Sequence, residues 1–246
     1  GCVGRLSFDI GTTVLDAVHQ LADSIGLVHH EDFSLFACRE LDDPNQTLAH
    51  SLLYDHSYIA DVLGDFAENA RDGDPSQLIF RKVLFRETDE YITESQFLNL
   101  CYLQAQDWFK KGEYPAEYDT AAKLCALQLF ADYGRRLPGN PEVLKKDIKT
   151  YTSHHVNLTG WKVDWEQLVL SHFNSLQCET IQDAKGMFMK VLRGLPYGLA
   201  VFFKAIRLED PLGLIPPEVF LGVNKIGFHI LRSVPKTYLA SVEFRD

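Results

Sequence analysis

The sequence lacks the features of a membrane-spanning, secreted or disulfide-stapled protein. Its apolar runs fall short of the roughly 20 residues that cross a bilayer, and its start does not read as a secretory signal peptide. Five cysteines, at positions 2, 38, 101, 125 and 178, include no Cys-x-x-Cys pair. We therefore expect reduced thiols in a cytosolic protein, most of them serving as small core residues.

Signatures of catalysis, metal binding and nucleotide binding are also missing. There is no His-Glu-x-x-His motif, no glycine-rich phosphate loop and no Gly-x-Ser-x-Gly elbow. The adjacent pairs His29-His30 and His154-His155 make poor chelators, because sequence neighbours point to different sides of a helix or strand. We predict a non-enzymatic segment with no catalytic residue, no metal site and no cofactor.

Acidic charge predominates and is distributed unevenly. The 246 residues carry 34 acidic and 24 basic groups, for a net charge of −10, and 46% of them are apolar. Residues 1–86 have a net charge of −8, residues 87–194 of −3 and residues 195–246 of +1. Because binding to phosphates requires a basic face, nucleic acid is excluded as a partner. The length and apolar content predict a globular protein with a sizeable core.

The three charge segments also differ in predicted structure. In residues 1–86, alternation at Leu6, Phe8 and Ile10 predicts a strand, and Thr13 with Asp16 predicts a capping box that opens a helix. Two further strand patterns complete a ubiquitin-like lobe whose first strand is missing. Residues 87–194 contain five helical patterns with short links, which predict a bundle with Trp108 and Leu129 in its core.

Residues 195–246 turn to strands. A hairpin is predicted at residues 219–231, around a turn that contains glycine, and another strand follows. Three or four strands without a covering layer make an unfinished lobe. Since the chain also starts at Gly1 rather than Met, we expect a segment truncated at both ends.

Three motifs at the borders and in the bundle resemble a known family. They are residues 84–90 (LFRETDE), 119–128 (DTAAKLCALQ) and 191–198 (VLRGLPYG). Together with the order of the segments, they resemble a FERM domain over nearly the whole chain. The resemblance implies an α+β fold of three lobes: a ubiquitin-like lobe at 1–86, an acyl-CoA-binding-protein-like bundle at 87–194, and part of a PH/PTB-like lobe at 195–246.

A narrower resemblance lies in the third segment. Residues 210–216 (DPLGLIP), 221–225 (LGVNK) and 234–239 (VPKTYL) are similar to the FERM region of kinesin-like calmodulin-binding proteins, where it follows a myosin-tail-homology domain. That family usually has Gly-Arg where this chain has Pro217-Glu218, and Arg where it has Ile226. Both differences remove positive charge and weaken the family's anionic contacts at that edge.

The resemblance implies a non-catalytic interaction module that tethers cargo, cytoskeleton or membrane in the tail of a kinesin-like motor, cytoplasmic and associated with the cytoskeleton. Two alternatives remain open: an unconventional myosin tail or membrane–cytoskeleton linker, and the targeting module of a FERM tyrosine phosphatase or kinase. FERM third lobes bind peptides beside a later strand and helix, so the peptide groove is assigned to no residue here.

Five basic residues are the candidate contacts to an anionic surface or acidic partner: Lys204, Arg207, Lys225, Arg232 and Lys236. Five acidic groups in the same segment dilute them. We therefore predict protein partners, with weak or no binding of anionic membranes by this segment alone.

Overall fold

The computed structural model describes residues 5–39, 49–69, 77–154, 156, 164–206, 213, 215–232 and 237–244. Residues 40–45, whose acidic and polar composition predicts a loop, lie outside them. Packing divides the chain into two compact units, residues 1–83 and 84–246. The division into three lobes with borders at 86/87 and 194/195 stays a prediction.

The first unit packs two helices on a small antiparallel sheet. Its elements are α1 (Val14–Ile25), β1 (Phe33–Arg39), β2 (Ala49–Leu52), α2 (Ile59–Asn69) and β3 (Gln77–Lys82). The strand order is β2-β1-β3. Helix α1 lies on β1, and the core cluster consists of Val14, Ala17, Val18, Leu35 and Ile59.

Local signals set the ends of α1 as predicted. The Thr13 side chain accepts a hydrogen bond from the Asp16 backbone, and the Asp16 carboxylate accepts one from the Thr13 backbone. Gly26 ends the helix in the left-handed region, at φ 66°.

The predicted strand at Leu6–Ile10 was wrong. Residues 5–9 form no ladder with another described strand, and a turn held by Asp9 and Thr12 follows them. Ile10 is almost fully exposed and Phe8 is also exposed, so the alternation does not separate a buried face from a solvent face. Alternation predicts a strand only where a neighbouring strand supplies hydrogen bonds.

The second unit begins with a 3-10 turn, Glu87–Tyr91, and its described residues then form five helices. These are α3 (Ser95–Lys110), α4 (Tyr118–Tyr133), α5 (Pro141–Tyr151), α6 (Trp165–Ser175) and α7 (Ile181–Arg193). Helix α4 packs against α5, α6 and α7, and α3 packs against α7. Leu129 on α4 is fully buried as predicted, whereas Trp108 on α3 is only partly buried, between the rings of Phe85 and Tyr114.

A four-stranded antiparallel sheet completes the second unit. Its strands β4 (Val201–Ile206), β5 (Glu218–Val223), β6 (Gly227–Arg232) and β7 (Thr237–Glu243) pair in sequence order. The β5–β6 hairpin confirms the predicted one, but its turn consists of Asn224, Lys225 and Ile226, and the glycine expected in the turn, Gly227, begins β6.

Candidate partner-binding surfaces

The predicted basic residues do not form a single described patch. Lys225 lies in the β5–β6 turn, and its ammonium group is 3.3 Å from the Glu87 carboxylate. Arg232 ends β6, about 17 Å along the strand from the turn. Lys204 is placed on β4 by its backbone, while Arg207 and Lys236 lie outside the described residues. Their role in anion or partner contact stays a prediction.

The β5–β6 turn is fixed to the end of the bundle by a buried polar network. Asn224 donates its side-chain amide to the Pro196 carbonyl at 3.1 Å, and its Oδ1 accepts the backbone N–H of Ile226 at 2.9 Å. His229 reaches the same Oδ1 through Nε2 at 2.9 Å, and its Nδ1 lies 2.7 Å from the Ser241 hydroxyl.

This network accommodates His229 as a neutral imidazole. Because Asn224 Oδ1 is an acceptor, Nε2 must donate to it, which leaves Nδ1 to accept the Ser241 hydroxyl proton. The Tyr197 ring and the imidazole pack edge to face, with centroids 5.1 Å apart. Burial lowers the pKa of His229 below its usual value, while the Glu243 carboxylate opposes that change.

A tight chain passage joins the bundle to the sheet. Tyr114 on the bundle side donates its hydroxyl to the Ala200 carbonyl at 3.1 Å. A Cβ at Gly198 would lie 1.6 Å from the Leu192 carbonyl oxygen, so the close turn after α7 requires glycine. Sequence reasoning identified this junction as a family motif and missed the Asn224–His229 network. The asparagine in the hairpin turn is the one local signal that points to it.

The β4–β7 sheet exposes apolar side chains on one face. Strand register aligns Val223, Phe228 and Val242 across three strands, and Phe228 and Val242 are exposed. Phe203 on β4 is exposed as well. On the opposite face, Phe202 packs against Tyr114 of the bundle. Exposed apolar side chains of this kind favour contact with protein rather than with water.

The described residues were compared with the requirements of a metal site, a reactive thiol and a membrane-spanning helix. Among them, no group of three or more His, Cys, Asp or Glu side chains could hold a metal ion. The four described cysteines, at 38, 101, 125 and 178, are buried free thiols, as predicted, and burial raises the pKa of Cys125 and Cys178. No helix in the described part of the chain is long and apolar enough to cross a membrane.

Comparison with known proteins identifies the architecture. The FERM central domain model matches residues 87–203. Kinesin-like protein KIN-14I of Oryza sativa subsp. japonica is 38% identical over 254 residues, and kinesin-like protein KIN-14E of Arabidopsis thaliana is 38% identical over 255 residues. Both alignments cover 98% of this chain and 20% of the relative. The chain thus spans about a fifth of the length of these relatives.

A solved structure shows the same fold. The C-terminal MyTH4-FERM domain of human Myosin 7b, in complex with the harmonin-a PDZ3 domain, superposes with a TM-score of 0.69 at 17% identity. The match covers 97% of this chain and 48% of that one. These findings confirm the resemblance seen in the sequence: residues 87–203 match the FERM central domain, and the chain has the three-lobe α+β fold of FERM domains.

Proposed function

We propose that this chain is a protein-interaction module in the tail of a kinesin-like motor, where it tethers cargo, cytoskeleton or membrane to the motor. The observation that carries this proposal is the 38% identity to two kinesin-like proteins along nearly the whole chain. The Myosin 7b domain of the same fold, solved with a PDZ domain, supports binding of protein partners.

The second unit contains a rigid surface of the kind that binds partners. Contacts between the bundle and the sheet fix the β5–β6 turn, because Asn224 holds Pro196 and Lys225 pairs with Glu87. A rigid platform lowers the entropy lost when a partner binds.

Localisation follows from the same proposal. A segment that tethers a microtubule motor works in the cytoplasm at the cytoskeleton. An unconventional myosin tail and a FERM phosphatase or kinase would share this fold but differ in the domain joined to it.

The full-length transcript tests the proposal. We expect its reading frame to join this segment to a kinesin motor domain, and the expressed protein to show microtubule-stimulated ATPase activity that the isolated segment lacks. Deleting residues 1–246 from the full-length protein should leave that ATPase activity intact and abolish the motor's co-localisation with its cargo. A myosin head, a phosphatase or a kinase in the same reading frame would contradict the proposal.

A further inference from the structure

The first unit brings two helix starts and a turn together on one surface. Three backbone hydrogen bonds join the segments: Val14 N–H to the Ser57 carbonyl at 2.9 Å, Leu15 N–H to the Asp55 carbonyl at 3.0 Å, and Ile59 N–H to the Thr12 carbonyl at 3.0 Å. We call this region the α1–α2 surface. It consists of residues 9–16 and 54–61.

Apolar side chains project from the α1–α2 surface into solvent. Ile10 is 89% exposed, Tyr54 72%, Tyr58 47% and Leu15 43%. The turn that carries Ile10 is fixed, because the Asp9 carboxylate accepts the Gly11 N–H and the Thr12 hydroxyl, both at 2.9 Å. An apolar side chain held outward by an ordered turn gains free energy when a partner covers it.

The segments that form this surface carry carboxylates but no Lys or Arg, which are absent from residues 6–38 and 49–70. His19 lies close enough to Asp16 to favour its ionised form electrostatically. Four acids belong to the surface: Asp9, Asp16, Asp55 and Asp61. Hydrogen bonds from Thr12 and Gly11 lower the pKa of Asp9, and those from Thr13 lower the pKa of Asp16, so both are ionised at neutral pH.

We propose that the α1–α2 surface docks a cationic amphipathic helix of a protein partner. The apolar side of such a helix would cover Ile10, Leu15 and Tyr58, while its flanking Lys and Arg side chains would meet the surrounding aspartates. A helix supplies both features at once, because residues at i, i+3 and i+4 share one face. Anionic lipid and nucleic acid are repelled by the same charges. This inference rests on the proposed function and names a partner class for it.

Three of the four acids also serve the fold, and Asp9 does so by holding the turn before α1. Asp16 belongs to the capping box of α1, and Asp61 lies in the first turn of α2, where a negative charge is favourable. Asp55 precedes α2 and lies outside both helices. Substituting Asp55 therefore tests the role of charge in docking without changing the stability of either helix.

The test uses a fluorescent peptide of about 18 residues, patterned in Leu and Lys as an amphipathic helix, and a scrambled peptide of the same composition. Binding to the whole chain is measured by fluorescence anisotropy at about 50 and 150 mM salt. The variants are Ile10→Ser, the double variant Ile10→Ser with Tyr58→Ser, and Asp55→Lys. The control is Tyr91→Ser, since Tyr91 is an exposed aromatic of the second unit.

We expect the double variant to bind the patterned peptide about tenfold more weakly, which corresponds to about 1.4 kcal/mol. Asp55→Lys should weaken binding several-fold, with a smaller effect at the higher salt. Tyr91→Ser should bind as the wild type does, and amide shifts on binding should concentrate at residues 9–16 and 54–61. Circular dichroism checks that each variant is folded. If the double variant does not fold, the single variant Ile10→Ser is used to test the apolar contact.

Equal binding of the patterned and scrambled peptides would overturn the inference, as would wild-type affinity in folded Ile10→Ser and Asp55→Lys variants. If the transcript encodes a kinesin motor domain but either of these binding results is obtained, the docking role of the α1–α2 surface is rejected and the proposed function stands. If the expected binding is observed but the transcript encodes no kinesin motor domain, the motor-tail role is rejected and the docking role stands.

Discussion

His229 makes the stability of the second unit sensitive to acid. Its pKa is lowered by burial, and the side chains that face it are Tyr197, Asn224 and Ser241, with Glu243 opposing the shift. An unfolded histidine titrates near pH 6.5. Below that pH the unfolded chain binds a proton that the folded chain binds less readily, so the free energy of unfolding falls as the pH falls.

Replacing this histidine should remove part of that pH dependence. All three tryptophans, at positions 108, 161 and 165, belong to residues 84–246, so tryptophan fluorescence reports unfolding of the second unit. In urea titrations at pH 7.5, 6.5 and 5.5, we expect the wild type to lose more stability toward pH 5.5 than His229→Gln does. The difference is bounded by about 1.4 kcal/mol per pH unit. Parallel curves for the two proteins would contradict this assignment of His229.

At the scale of elements, α4 is the centre of the bundle. Its residues 124–131 are all buried, and Leu124, Leu127 and Leu129 are 0% exposed. Leu129→Ala should therefore reduce the free energy of unfolding by about 2–5 kcal/mol, because the surrounding helices cannot close the cavity. Leu103→Ala on the exposed side of α3 is the matched control and should change it by about 0.5 kcal/mol or less. Tryptophan fluorescence in urea measures both, and a neutral Leu129→Ala would show that α4 is not the core helix.

Elements with local end signals were predictable from the sequence. Thr13 with Asp16 predicted the start of α1, because a cap satisfies backbone groups within a few residues. Asn140 before Pro141 is a signal of the same kind, and it caps α5. Burial was less predictable. Periodicity gave α4 an inward stripe, but its other faces are buried by α5, α6 and α7, which local sequence does not reveal.

The candidate surfaces also differ in how far the sequence predicts them. The sequence drew attention to basic residues such as Lys225 and Arg232, yet the structure places these two at opposite ends of β6. The α1–α2 surface was missed because its residues come from segments about 40 positions apart, joined by hydrogen bonds such as Leu15 to Asp55. The long stretches without Lys or Arg indicate an acidic surface in the sequence. Only the fold shows which exposed apolar side chains belong to that surface.

At the scale of the whole molecule, charge opposes binding to anionic membranes. The chain carries −10, of which −8 lies in residues 1–86. A basic residue near an anionic surface contributes about 1 kcal/mol, and a patch of several is needed for stable attachment. Lys225 is already paired with Glu87, and its distance from Arg232 exceeds the Debye length of about 8 Å at physiological salt, so the two do not act as one patch.

We therefore expect the chain to stay in the supernatant when it is sedimented with phosphoinositide-containing liposomes at physiological salt. The double variant Lys225→Glu with Arg232→Glu should behave in the same way, and neutral liposomes provide the baseline for both proteins. Lowering the salt should not recruit the wild type, because a longer screening length strengthens the repulsion from residues 1–86 as much as any local attraction. Strong pelleting of the wild type that the double variant loses would contradict this prediction. It would show that a local basic cleft outweighs the net charge, and a membrane linker would then account for the chain better than a motor tail.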